Sequence, residues 1–270
     1  AAGVSSRLDS VLITGGASGL GAALARAFLD RGATVAIADP AVAVGLPAGL
    51  QDALGYPVDA ADPAAVRDVV DAVEGEAGPL TTVVANAGAP GGGGIEAPDE
   101  VWDQAWRVNV MAHVHLARVV VPRMLAAGGG RFVVVASAAG LLTNLGNAPY
   151  SATKHAAAAL AEWLAITYGD QGLDVRLVAP MGIDTAMLRS GANTLAGESV
   201  RALGVIEAGE AAERIMAGLD GHDFLILTHP EVSRFERARV ADRNSWLHGM
   251  QRAQAQLLAG LQRAGRPAAP

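Results

Sequence analysis

Thr14-Gly15-Gly16-Ala17-Ser18-Gly19-Leu20-Gly21 closes an apolar run that begins at Ser10 and opens an alanine-rich stretch. Glycines at this spacing let the backbone turn sharply and come close to another group. A helix starting at the end of the turn offers free N–H groups and a partial positive charge. Strand, glycine-rich turn and helix together form a cradle for an anionic group such as a pyrophosphate.

Working outward, the next apolar run, 34–38, ends at Asp39. A carboxylate there can accept from both hydroxyls of a ribose and repels a 2′-phosphate, and neither Ser18 nor Pro40 supplies a compensating cation. The pair of features favours NAD over NADP. Further short β-branched runs fall at 82–85, 131–136, 174–178 and 223–227, and they are mainly apolar without regular alternation, as strands buried on both faces of a parallel sheet are. Helical stretches are predicted at 20–31, 63–77, 99–126, 150–170 and 207–219. The alternation predicts an α/β fold, a single doubly wound parallel sheet with helices on both faces. Gly45, Pro47 and Gly49 leave little room for a full helix in the second crossover, and 91–94 reads as a loop.

Past residue 227 the pattern changes. Thr228-His229-Pro230-Glu231 has the form of a capping box, and no proline follows as far as Gln262. A C-terminal helical extension is predicted over about 230–262, with Phe235, Trp246, Met250, Leu257 and Leu261 as apolar anchors. It docks on its own domain or on a neighbouring subunit, or it walls a substrate pocket. The final residues, 266–270, are expected to fray.

The chain has 270 residues, the size of one large α/β domain, and 1–270 is read as one. Hydrophobic residues make up 51% and charged residues 17%, without an apolar run of the roughly 18 residues needed to span a bilayer. Residues 1–10 have no apolar core segment of a secretory signal. A net charge of −7 argues against nucleic-acid or anionic-membrane partners. The absence of cysteine excludes disulfides, thiol catalysis and thiolate metal sites, and suits a cytoplasmic location. No metal site is expected, and His113 and His155 read as exposed residues or helix-to-helix contacts.

Lys154 is the single lysine, against nineteen arginines. It follows Tyr150 by four residues, about one helical turn, so the phenol and the ammonium lie on one face. A nearby fixed cation lowers the pKa of a phenol, ordinarily about 10, toward a range useful for general base catalysis. A compact ammonium can also serve sugar hydroxyls and the phenol together, which a forked guanidinium does less well.

Taken in order, the glycine turn, Asp39, Asn86-Ala87-Gly88, Asn109, Ser137 and Tyr150-x-x-x-Lys154 resemble the short-chain dehydrogenase/reductase superfamily, closely over 8–185 and loosely beyond. The resemblance implies a Rossmann fold binding NAD through Gly15, Ser18, Gly19, Leu20, Gly21 and Asp39. Asp59 and Ala60 match the adenine position, while Asn86, Ala87 and Gly88 support the central strand and line the cofactor. Pro180, Ile183 and Thr185 match the segment that holds the carboxamide. It further implies that Tyr150 exchanges a proton with the substrate oxygen, Ser137 hydrogen-bonds that oxygen, and Lys154 holds the nicotinamide ribose. Asn109 would bind a water through its backbone and complete a proton relay. Ala179 and Met181 replace the Asn and Gly common in the family, which puts bulk near the nicotinamide end.

The expected reaction is NAD-dependent hydride transfer to or from a small to medium alcohol or ketone. Leu141, Leu142, Met181, Met187 and Leu188 make an apolar substrate the better fit, and residues 186–206 read as a flexible lid. A homo-oligomer, dimer or tetramer, is expected. An epimerase or dehydratase that retains NAD, or a non-catalytic NAD-binding regulator, are the alternatives; the acid/base set argues against the latter.

Overall fold

The computed structural model describes residues 9–265; the tail 266–270 and the stretch before Asp9 lie outside the described residues. The chain runs β1 (Ser10–Thr14), α1 (Gly19–Asp30), β2 (Thr34–Ala38), a 3₁₀ turn (Pro40–Val44), β3 (Leu54–Tyr56), α2 (Pro63–Ala77), β4 (Thr82–Ala85) and α3 (Asp99–Trp106). A π-turn (Arg107–Met111) leads into α4 (Ala112–Ala126), then β5 (Gly130–Val135), α5 (Ala139–Leu142), α6 (Ala148–Tyr168) and β6 (Leu173–Val178). The remainder is β7 (Ile183–Asp184), α7 (Ala186–Ser190), α8 (Leu195–Arg201), β8 (Ile206–Glu207), α9 (Ala208–Asp220), β9 (Leu225–Ile226), α10 (Glu231–Ala241) and α11 (Arg243–Arg263).

Seven strands form one parallel sheet in the order β3-β2-β1-β4-β5-β6-β9, with helices on both faces. Alternate side chains of each central strand enter different cores. Leu12, Val83, Phe132 and Val134 pack toward α2, α4 and α6, whereas Val11, Ile13, Val84, Val133 and Val135 pack toward α1 and α9. Two buried faces explain why these strands read as unbroken apolar runs. Each fully buried Val, Leu or Ile adds roughly 1.5–3 kcal/mol. Strand order reverses between β1 and β4, so the ends of these strands, Thr14 and Ala85, flank the crevice where such sheets bind ligands.

Several elements depart from expectation. The edge strand β3 and the small β7–β8 pair were not foreseen. The predicted helix 99–126 contains the π-turn, in which the Ala112 N–H bonds Arg107 O, five residues back. The predicted lid 186–206 is two short helices, with Thr185 and Thr194 hydroxyls accepting from Leu188 N and Gly197 N. The terminal helix is broken at Asp242, which leaves helical geometry (φ −147°, ψ 95°) and caps α11 by accepting from Ser245 N at 3.0 Å. No capping box forms at Thr228: its hydroxyl meets His229 Nδ1 at 2.9 Å, and α10 starts after Pro230. Both terminal helices fold onto the body of the same chain, α10 against α5 and α11 against α8. Among the described residues no helix is long and apolar enough to cross a membrane.

Candidate active site

The glycine turn is shaped by contacts that a side chain would destroy. Gly15 has φ +64°, and a Cβ there would sit 2.9 Å from Ala87 Cα; one on Gly21 would sit 2.1 Å from Gly15 O. Asn86 holds the turn from the neighbouring strand, its Nδ2 donating to Thr14 O at 3.1 Å and Gly15 O at 2.8 Å. Thr14 Oγ1 accepts from Asn86 N and Ala87 N. Ser18 precedes α1 in extended conformation, and its hydroxyl does not cap the helix. The first N–H groups of α1 therefore face the crevice without a side-chain partner, and the bare cradle fits a dinucleotide pyrophosphate. Leu20 and Gly19 lie in the first turn, where a Cβ on Gly19 would come within 3.1 Å of Thr185 Cγ2. That contact brings the Ile183–Thr185 segment to the same crevice.

Asp39 leans back over the turn. Its Oδ2 accepts from Ala17 N at 3.1 Å and its Oδ1 from Ala41 N at 2.9 Å. Asp59 is exposed, accepting from Ala61 N at 2.9 Å and from Arg107 Nη1 at 3.0 Å; Ala60 beside it is buried against Ala87 and Ala112.

At the other end of the crevice, the Ser137 hydroxyl lies near enough to the Tyr150 phenol to favour its ionised form. Ser137 lies two residues past β5, where its Oγ accepts from Ala139 N at 3.1 Å and donates to Pro180 O at 3.4 Å. Asn147 caps α6 by accepting from Tyr150 N at 3.2 Å and ties the cap to the 91–94 loop by donating to Pro90 O at 2.9 Å. Lys154 is 3% exposed, and its Nζ donates to Val135 O at 3.0 Å and lies 5.7 Å from the Tyr150 ring centroid. A Cβ on Gly88 would be 3.6 Å from Lys154 Nζ and 3.5 Å from Asn109 Oδ1, so those groups share one wall.

Asn109, fully buried in the π-turn, accepts from Ala89 N at 2.7 Å and donates to Ala89 O at 3.1 Å and Thr153 Oγ1 at 3.0 Å. Sequence reasoning missed Asn147 and Thr153. An Asn three residues before Tyr150 is a readable cap signal, whereas the Thr153 contact depends on how two distant helices meet.

Burial lowers Lys154 to about 8. Burial also pushes Tyr150 up, and the Ser137 hydroxyl pulls it partly back. The Lys154 ammonium is turned to the Val135 carbonyl, and burial prevails in the Tyr150 phenol. Of the two readings of His113, an exposed residue or a helix-to-helix contact, burial removes the first. It is fully buried, neither ring nitrogen has a partner among the described residues, and burial followed by the Lys154 charge pushes it down to about 3. Among the described residues no group of His, Asp or Glu is placed to hold a metal.

Residues 9–195 match the family model described as short chain dehydrogenase. The 1-deoxy-11-beta-hydroxypentalenate dehydrogenase of Streptomyces avermitilis is 31% identical over 253 residues, 89% of this chain and 91% of that protein. A 2,5-dichloro-2,5-cyclohexadiene-1,4-diol dehydrogenase of Sphingobium indicum is 35% identical over 64% of this chain and 72% of its own. A solved short chain dehydrogenase/reductase of Burkholderia phymatum, in complex with NAD, superposes with a TM-score of 0.77 at 26% identity, covering 89% of this chain and 96% of that one. Other solved proteins of this fold hold NADP.

Proposed function

We propose, from the premise that this chain belongs to the short-chain dehydrogenase/reductase superfamily, that it is an NAD-dependent alcohol dehydrogenase or ketone reductase acting on an apolar, ring-bearing secondary alcohol. The observation that carries the reading is the buried Lys154, its Nζ 5.7 Å from the Tyr150 ring centroid, with the Ser137 hydroxyl near the same phenol. Gly15, Ser18, Gly19, Leu20 and Gly21 would hold the pyrophosphate, Asp39 the adenosine ribose, and Asp59 and Ala60 the adenine. Lys154 and Tyr150 would meet the nicotinamide ribose, and Pro180, Ile183 and Thr185 its carboxamide.

When bound, the nicotinamide supplies the hydride acceptor or donor. The chain's own part is proton traffic. In oxidation, Tyr150 Oη as phenolate takes the alcohol proton while Ser137 Oγ donates to the same oxygen and stabilises developing alkoxide. A cofactor ribose would draw the Lys154 ammonium toward the phenol and favour the phenolate. Asn109, fixed through Ala89 and Thr153, holds its turn of backbone ready to pass the proton on. In reduction Tyr150 returns the proton.

Asp39 supports NAD, and the ring alcohol in the name of the Sphingobium indicum relative, together with Leu141, Leu142 and Met181 beside the site, supports a cyclic apolar substrate. Trp163 and Ile166, both exposed on α6, support a homo-oligomer of a single-domain subunit. Screening a panel of cyclic and open-chain secondary alcohols for NADH appearance tests the reading. Product without net NADH, with cofactor retained through turnover, would turn it into an epimerase or dehydratase; no chemistry with any member would leave a binding protein.

A further inference from the structure

The apolar cluster next to Ser137 is completed by the C-terminal helices. Ala138, Leu142 and Val232 are buried at its centre, and Leu141, Met181, Leu227, Phe235 and Trp246 pack around them. Ala138 follows Ser137 directly, and Met181 follows Pro180, which accepts from both Ala138 N (2.7 Å) and Ser137 Oγ. The cluster thus starts one residue from the reacting groups and ends on two aromatic rings from α10 and α11.

The break at Asp242 makes this possible. Along one straight helix, Phe235 and Trp246 would be separated by about 16 Å of rise; across the elbow their ring centroids are 6.2 Å apart at 48°. Both rings remain partly exposed, so the protein does not close over them. Because α11 also packs on α8, the pair joins the Ser137 loop to the segment that follows Thr185. The family match ends at residue 195, before either helix begins.

We propose that Phe235 and Trp246 form the distal wall of the substrate pocket and select substrates with a bulky apolar body remote from the reacting carbon. This rests on the dehydrogenase reading above.

The test compares wild type with Trp246→Ala and Trp246→Phe on cyclopentanol and on bicyclic 2-decalol, with Val232→Ala as a control for cluster stability. The ratio of kcat/KM for 2-decalol to that for cyclopentanol should fall at least tenfold in Trp246→Ala, mainly through KM, and recover in part in Trp246→Phe. Val232→Ala should lower Tm and move the ratio less than threefold. A second readout needs no turnover: 2-decalone should quench wild-type tryptophan fluorescence, and the quench should be lost in Trp246→Phe, which retains Trp102, Trp106 and Trp163. This arm also covers an alanine variant that does not fold. An unchanged ratio in folded Trp246→Ala, or a quench that persists in Trp246→Phe, overturns the wall. A wild type that oxidises neither alcohol yet shows the Trp246-dependent quench keeps the wall and removes the dehydrogenase reading.

Discussion

Asn109 Nδ2 donates to Thr153 Oγ1 at 3.0 Å across 44 residues of sequence, tying the π-turn to the helix that carries Tyr150 and Lys154. Thr153 in turn donates to its own helix, with Pro149 O at 2.8 Å and Tyr150 O at 3.1 Å as acceptors. Thr153→Val keeps the shape and removes the hydroxyl, leaving one bond of a buried amide unmade. A loss of about 1–2 kcal/mol is expected, seen as a Tm lower by several degrees, together with a several-fold lower kcat. Thr153→Ser should restore most of both. A valine variant with wild-type Tm and kcat would mean that the two helices are held elsewhere.

The proposed preference for NAD rests on Asp39. NAD should exceed NADP by at least tenfold in kcat/KM, about 1.4 kcal/mol of differential binding. Kinetics with both cofactors on one alcohol decide it, and parity would show that the carboxylate does not meet the ribose.

Lys154 is buried and reaches the Val135 carbonyl with a compact ammonium, which a longer, forked guanidinium does not reproduce. Lys154→Arg should therefore lose at least tenfold in kcat/KM. In Lys154→Met the acid limb of the pH profile for alcohol oxidation should move upward, because the phenol loses its neighbouring cation while burial still raises its pKa. Unchanged rates and profile in both variants would end the assignment of this residue to catalysis.

His113 gives a pH dependence of stability. Its folded pKa, about 3, lies below the ordinary 6.5, so the unfolded chain binds more protons between those values. Its contribution is fully present above pH 6.5 and is lost as pH falls toward 3, at up to about 1.4 kcal/mol per pH unit. Denaturant titrations from pH 7.5 to 4.5 should show a shallower slope in His113→Leu. With both ring nitrogens lacking protein partners, that variant should also be at least as stable as wild type at pH 7.5. An identical slope in the two proteins would place the titration elsewhere.

What was legible in the sequence was what two buried faces impose. β1, β2 and β4 read to the residue because unbroken β-branched runs mark them, and α2 did so because Asp62 caps it ahead of Pro63. β3 has three residues with a glycine in the middle, none fully buried, so it leaves no run to read. The π-turn shifts hydrogen bonds by one residue without altering composition. The elbow at Asp242 did have a signal, an Asp three residues before Ser245, but it was hidden by an expectation of one long helix. Tyr150 and Lys154 were readable from their spacing, and Ser137 from the family resemblance. Asn147 and Thr153, which hold them, depend on close approach between segments far apart in sequence.

The double use of Asp39 has an evolutionary side. One carboxylate oxygen clasps Ala17 in the glycine turn and the other Ala41 in the crossover that follows. A mutation that removes the negative charge to admit a phosphorylated cofactor also unfastens the loop on which any dinucleotide must rest. Drift toward NADP from this chain then has no neutral first step. It would have to begin with a new clasp for Ala17, so the residue proposed to set cofactor preference would also lock it in place.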